Sequence, residues 1–217
     1  MVETAHYTYD FGGGWLCLDF NNTLDQDKEG GDVEHLHTYA DLVEWAAQSG
    51  MISPGKARLL TREAETHPSQ AATTLADAIA LRRLIYRVFS AVADGHEPES
   101  ADSSALNAAL GASVVWLRIV RAPSDNDNDD SAFEWGWADG GSRLDQILWP
   151  IVWSAAQLLV SERLHQVREC GSENCRWIFM DTSRNHSRRW CSMESCGNRA
   201  KQRRHYHRIK ASDLDTN

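Results

Sequence analysis

Residues 170–196 read CGSENCRWIFMDTSRNHSRRWCSMESC, and the spacing of their cysteines decides how this end of the chain folds. Cys170 and Cys175 form one pair, Cys191 and Cys196 a second pair with the same spacing, and 15 residues lie between the pairs. A structural zinc ion takes four soft ligands in a tetrahedron, and each loop must deliver two of them close together. Gly171 and Asn174 favour a turn in the first pair, as Ser192 and Ser195 do in the second. His186, His205 and His207 are alternative ligands for one corner, but they sit outside the symmetric pairs. The reading is therefore Cys170, Cys175, Cys191 and Cys196 around one structural Zn2+ ion. Four thiolates close the coordination sphere and leave no position for water or substrate.

The residues between the pairs read as a hairpin: 177–180 are β-prone, 181–185 turn-rich, and Arg189-Trp190 return to the metal. After Cys196, Asn198 is a natural N-cap for a helix over 199–210, RAKQRRHYHRIK. Knuckle, hairpin and then a helix starting at the last ligand is the order of a treble-clef zinc finger.

That helix carries cations round most of its circumference, and like charges four residues apart, as at Arg199/Arg203 and Arg204/Arg208, repel one another. A polyanion relieves that repulsion. Candidate nucleic-acid contacts are Arg176, Arg184, Arg188 and Arg189 before the helix, then Asn198, Arg199, Lys201, Arg203, Arg204 and Arg208. Trp177, Trp190 and Tyr206 interleave with them, as stacking groups or as the miniature core of the metal site. The alternative for the whole surface is a solvated basic face, or one docked on the acidic remainder of the chain.

Charge along the 217 residues supports two jobs. Residues 1–161 carry 10 Lys/Arg against 24 Asp/Glu, whereas residues 162–210 carry 12 against 5. No signal-like segment opens the sequence, and the longest apolar run, 147–160, is too short and too interrupted to span a bilayer. The expectation is a cytoplasmic protein with no membrane contact.

Upstream of the finger, GGGWLCLDF over 12–20 reads as a glycine turn and a buried strand, with Leu16, Leu18 and Phe20 alternating. Residues 25–32 read as a charged loop. Helical spacing covers 35–48, closed by Gly50, then 54–66 after Ser53-Pro54, then 69–93, ended by Asp94-Gly95. A short helix is expected over 103–110, and strands over 114–120 and 132–138 as an antiparallel pair. The acidic tip between them, SDNDNDDS at 124–131, lacks the glycine and terminal glutamate of a calcium loop. A helix over 142–166, capped by Ser142 and reset or kinked early by Pro150, leads into Cys170. The fold class is α+β: a mainly helical domain with a small antiparallel sheet over 1–166, a four-cysteine finger over 167–210, docked rather than tethered, and a tail over 211–217.

The finger residues, from Cys170-Cys175 through WIFMDTSRNHSRRWCSMESCGNRAKQRRHYHR at 177–208, closely resemble the CGNR zinc-finger family, whose tetrad is Cys196-Gly197-Asn198-Arg199. Residues 13–24, GGWLCLDFNNTL, with Leu81-Arg82 and Ile85-Tyr86-Arg87, resemble the ABATE domain, described as a stress-induced transcription regulator. The resemblance implies a bacterial DNA-binding regulator whose amino-terminal domain senses a small-molecule effector or forms a homodimer. Within that domain Asp19, Asn22 and Arg82 are polar groups among apolar neighbours; a buried Arg82–Asp19 pair lines a ligand pocket or is a structural ion pair. An RNA-binding or protein-interaction zinc protein is the alternative. No nucleophile motif, phosphate loop or paired-acid signature is present, so the chain is not read as an enzyme.

Overall fold

The computed structural model describes residues 7–27, 29–122, 133–203 and 206. The acidic tip at 124–131, together with Arg204, Arg208 and the 211–217 tail, lies outside the described residues. The chain begins with α1 (Leu16–Asn21), β1 (Leu24–Gln26), β2 (Asp32–Glu34), α2 (Tyr39–Gln48) and α3 (Pro54–Thr66). It continues with α4 (Pro68–Ala93), α5 (Ser100–Val114), β3 (Leu117–Arg121), β4 (Phe133–Trp137) and α6 (Trp149–Leu159). β5 (Val167–Glu169) and β6 (Ile178–Met180) follow. The strands form three two-stranded antiparallel sheets, β1–β2, β3–β4 and β5–β6. The fold is thus α+β, mainly helical, with a zinc-finger end.

α1 corrects the expected strand at 15–20. Cys17, Leu18, Asp19, Phe20 and Asn21 are all buried, so the segment is covered on every side. A short apolar run of that kind suits a strand or a helix equally by periodicity. What selects the helix is its surroundings. Gly14 adopts φ +76°, turning the chain so that Trp15 sits extended just before the first helical turn. The Ser154 hydroxyl on α6 accepts the Cys17 N–H at 3.0 Å, and the Trp15 indole donates to the Ser154 carbonyl at 2.9 Å. The Cys17 N–H, free at the helix start, thus finds its partner on the neighbouring helix.

The expected loop at 25–32 is instead the β1–β2 hairpin, with Leu24 opposite Glu34 and Gln26 opposite Asp32. α2 starts later than its apolar stripe suggests. Glu34 accepts the N–H groups of His35 and Leu36, holding the chain out of the helix until Thr38 and Asp41 form a capping box. α3 matches its expected bounds, with Ser53 as cap and Pro54 in the first turn. α5 is longer than the short helix expected, because its Ala/Ser-rich ends carry little apolar periodicity. β3 pairs with β4 as expected, from Leu117 opposite Trp137 to Arg121 opposite Phe133, but Val114 belongs to α5.

The long helix at 142–166 is broken. A 3-10 turn spans Leu144–Leu148, α6 begins with Pro150 in its first turn and stops at Leu159, and a second 3-10 turn spans Leu164–Gln166. Proline cannot donate to the preceding turn, so it resets the helix start. Ser142 does not cap it; Asp145 pairs with Arg143 instead, at 2.7 and 3.0 Å.

α4 is the axis of the molecule, packed against α1, α2, α3, α5, β5 and β6. Phe20, Trp45, Ile85, Phe89, Ile151 and Leu158 are fully buried around it. Each such side chain contributes about 1.5–3 kcal/mol by leaving water. Among the described residues, no helix is long and apolar enough to cross a membrane.

Candidate metal centre and basic surface

β5 and β6 are joined across the first cysteine pair, with Val167 opposite Met180 and Glu169 opposite Ile178. This corrects the expected hairpin over 177–190: β6 pairs backward with β5, not forward with Arg189-Trp190. Cys170 N–H donates to Trp177 O at 2.9 Å and Gly171 N–H to Arg189 O at 2.8 Å, so both arms still close over the knuckle.

In the second pair, Cys191 precedes and Cys196 belongs to the terminal helix. Its first turn, Met193–Gly197, is wide, with the Gly197 N–H reaching Ser192 O at 2.9 Å, and the helix continues over 198–203. Ser192 caps it by accepting from the N–H groups of Glu194 and Ser195. Asn198 is therefore not the N-cap. It is already helical, and its amide donates to Glu194 O at 3.1 Å. Cys196 lies inside the first turn, which bolts the helix to the metal site one turn deeper than expected.

The four sulfurs lie within 4.8 Å of one another. Cys175 and Cys191 are 3.8 Å apart, Cys191 and Cys196 3.6 Å. A zinc ion bonded to sulfur at about 2.3 Å has tetrahedron edges of about 3.8 Å, so the cluster fits one Zn2+ ion. Side-chain hydrogen bonding from Cys175 and Cys191 pulls the Cys170 thiol far below its ordinary range, while bonds shared with Cys170 push Cys175 and Cys191 above theirs. Thiols crowded in this way are the donor set a divalent cation neutralises. Zinc held here supplies cross-linking between knuckle and helix rather than reactivity, because no fifth site is open.

Around the sulfurs lies a shell of donors. The Cys191 N–H points at Cys170 Sγ at 3.4 Å, and the Arg199 guanidinium donates to Cys196 Sγ at 2.9 Å. Hydrogen bonds of this kind orient metal ligands and disperse their negative charge. Phe179, Trp177 and Trp190 pack against the cysteines. The two tryptophans are thus the miniature core, half-buried beside the sulfurs, while Tyr206 is 63% exposed.

The candidate nucleic-acid residues divide. Arg184, Arg189, Asn198, Lys201 and Arg203 are exposed, with Arg203 reaching the Glu173 carboxylate. Arg176 is exposed beside the first knuckle and faces a cavity against α4. Arg188 and Arg199 turn inward: Arg188 lies over the Phe179 ring at 4.5 Å and donates to Trp190 O at 3.0 Å, and Arg199 holds the sulfur.

Sequence reasoning missed Asp181. It is fully buried at the end of β6, where its carboxylate takes the Ser183 hydroxyl at 2.6 Å and the N–H groups of Ser183 and Arg188 at 3.0 and 2.9 Å. This closes the 181–188 loop, in which His186 is held at φ +46°. Burial alone would raise the Asp181 carboxyl, but these hydrogen bonds hold it below the usual range. The sequence signal was an Asp with Ser two residues on, the mark of a side chain capping its own turn.

The three polar residues read as a pocket are not assembled as one. Arg82 pairs with Glu34, not Asp19, and also donates to Thr23 Oγ1 at 2.9 Å. Asp19 accepts the Gly13 N–H at 2.8 Å, and burial raises its carboxyl to about 6. Asn22 spans to the finger: its amide donates to Ile178 O and accepts the Ile178 N–H, both at 3.0 Å. The same segment takes the Met180 N–H on Gly13 O at 2.9 Å. On β5, Glu169 accepts from Tyr86 at 3.0 Å and Ser90 at 2.6 Å on α4. The finger is therefore docked, but on α1 and α4 rather than on the end of α6.

A closed tetracysteine knuckle fused to a helical body defines a zinc-finger protein. The family model for ABATE, described as "putative stress-induced transcription regulator", matches residues 14–162, and that of the CGNR zinc finger matches residues 166–209. The chain belongs to the ABATE family and carries a CGNR zinc finger at its carboxyl end. No curated protein matches it.

Proposed function

We propose that the protein is a zinc-dependent DNA-binding transcriptional regulator, in which the finger contacts DNA and the helical body senses a ligand or mediates assembly. The observation that carries the reading is the exposure of Asn198, Lys201 and Arg203 on a helix whose first turn contains Cys196. Metal binding therefore presents this basic helix in one fixed orientation. Arg184 and Arg189 are exposed on the segment that returns to the metal, and Arg204 and Arg208 continue the basic run in the sequence. Against the acidic remainder of the chain, this cationic end is the natural partner of phosphates, and a helix presenting Arg and Asn can read guanine and adenine in the major groove.

Selection of bound sequences from a random DNA pool, with and without a zinc chelator, tests the reading. A recovered consensus that vanishes with chelator is expected, with affinity falling steeply as salt rises. Lys201→Glu and Arg189→Glu should each weaken binding about tenfold or more and flatten its salt slope. Affinity unchanged between low salt and about 0.3 M salt would falsify the phosphate-contact reading. Structured RNA that outcompetes duplex DNA reassigns the finger to RNA.

A further inference from the structure

Between the helical body and the finger lies a cavity of about 260 Å³ that the metal site does not use. Four arginines meet there: Arg82, Arg83 and Arg87 from α4, and Arg176 from the finger, next in the chain to Cys175. Their charges are not all matched. Arg82 is paired with Glu34, and Arg87 grips Asp102 through Nε and Nη2 at 2.7–3.0 Å. Arg83 and Arg176 are exposed and have no ion-pair partner among the described residues. The carboxylate on the lining, Asp32, is exposed and engaged by the Gln26 amide at 3.3 Å.

A second observation points the same way. Arg82 is 3% exposed, yet its Nε–H has no acceptor among the described residues. A buried charged donor without a partner is rare in folded proteins and asks for one. The remaining wall is Leu24, the Tyr86 ring and Asn21, whose amide donates to Asn22 at 3.1 Å, while the Tyr86 hydroxyl is committed to Glu169. A cavity with convergent cations on an apolar wall is the usual form of a site for a small organic anion.

We infer that this cavity binds a small organic anion, a carboxylate or phosphate on a flat apolar body, with Arg83 and Arg176 meeting its charge from opposite sides of the body–finger junction. The apolar part lies along Tyr86 and Leu24. Because α4 and the finger each contribute a cation, occupancy ties the finger more firmly to the body. The inference rests on the ligand-sensing part of the proposed function rather than on the contact with DNA, and its test needs no DNA.

The test is calorimetric titration of the zinc-loaded full chain with benzoate, phenyl phosphate and inorganic phosphate, in the absence of DNA. One-to-one binding of benzoate or phenyl phosphate is expected, at least tenfold tighter than inorganic phosphate, and weakened tenfold or more in Arg83→Gln and in Arg176→Gln. Arg83 is exposed and unpaired, so Arg83→Gln keeps the fold, and it decides alone if Arg176→Gln disturbs the metal site. Three results overturn the inference: no binding of either aromatic anion at millimolar concentration, equal binding of inorganic phosphate, or affinity indifferent to Arg83→Gln. A fourth is a duplex DNA that loses affinity in Arg83→Gln while the small anions do not bind, which assigns these arginines to phosphodiesters.

Discussion

The two ends of this molecule are held together by different physics. The body has an apolar interior of ordinary size, with Trp45, Phe20, Ile85 and Phe89 fully buried round α4. The finger has four sulfurs, one buried phenylalanine and two half-buried tryptophans. A cluster that small cannot offset the conformational entropy of the loops around it. The body folds on hydrophobic burial; the finger folds on its metal and on what the body lends it. The difference teaches where each half is vulnerable.

Metal removal should produce the largest effect. Structural zinc contributes about 10–16 kcal/mol of apparent binding energy in isolated fingers, and that energy is folding energy. Chelation, or Cys196→Ser, should expose the amides of 170–203 to rapid hydrogen exchange while amides in α4 and α6 keep their protection. Loss of protection in both halves together breaks the comparison.

Next comes the buried ion pair inside the body. Glu34→Gln leaves the Arg82 guanidinium buried and uncompensated, at a cost of roughly 3 kcal/mol. Urea unfolding should show a lower midpoint with an unchanged zinc stoichiometry. A matching loss of zinc would mean that the halves are not separable in this way.

Asn22→Ala addresses the joint itself. It strips both hydrogen bonds from Ile178 and should cost about 2 kcal/mol. The expected signature is faster exchange at Ile178 and Met180 than in α4, with zinc retained. Uniform destabilisation sinks the idea that this amide is what the body lends the finger.

Asp19 gives the smallest effect. Its folded carboxyl titrates near 6 because it is buried, against an ordinary value of 3.8. The folded state thus holds this proton more tightly than the unfolded chain does. The associated stability is fully present below the ordinary value and is lost as pH rises through about 6. Between pH 5 and pH 7 the wild type should lose about 1 kcal/mol relative to Asp19→Asn. The hydrogen-bonded carboxylates Glu34, Asp102 and Asp181 are shifted downward and titrate below that window. Parallel pH profiles for the two proteins would contradict the assignment.

The metal site was legible because its information is local: four cysteines within 27 residues state their own chemistry. Ser53-Pro54, the Gly50 turn and the reset at Pro150 were legible for the same reason, since caps and breakers act on their own neighbours. α1 was not, because alternation at Leu16, Leu18 and Phe20 is coincidental in a segment covered on every side. Asn22 and Ile178 are separated by 156 residues, and nothing in either neighbourhood announces the other. Arg82 was correctly suspected of a buried partner, but the hairpin that delivers Glu34 was read as a loop, so Asp19 was chosen in its place. Arg188 and Arg199 counted as surface charge because composition does not say which arginines turn inward.

The Asn22 amide occupies the position a neighbouring strand would take beside β6, contributing one donor and one acceptor. A finger cut out at Val167 would keep every zinc ligand yet leave that edge bare, together with the Glu169 carboxylate that Tyr86 and Ser90 now cover. It is thus a poor candidate for transplantation.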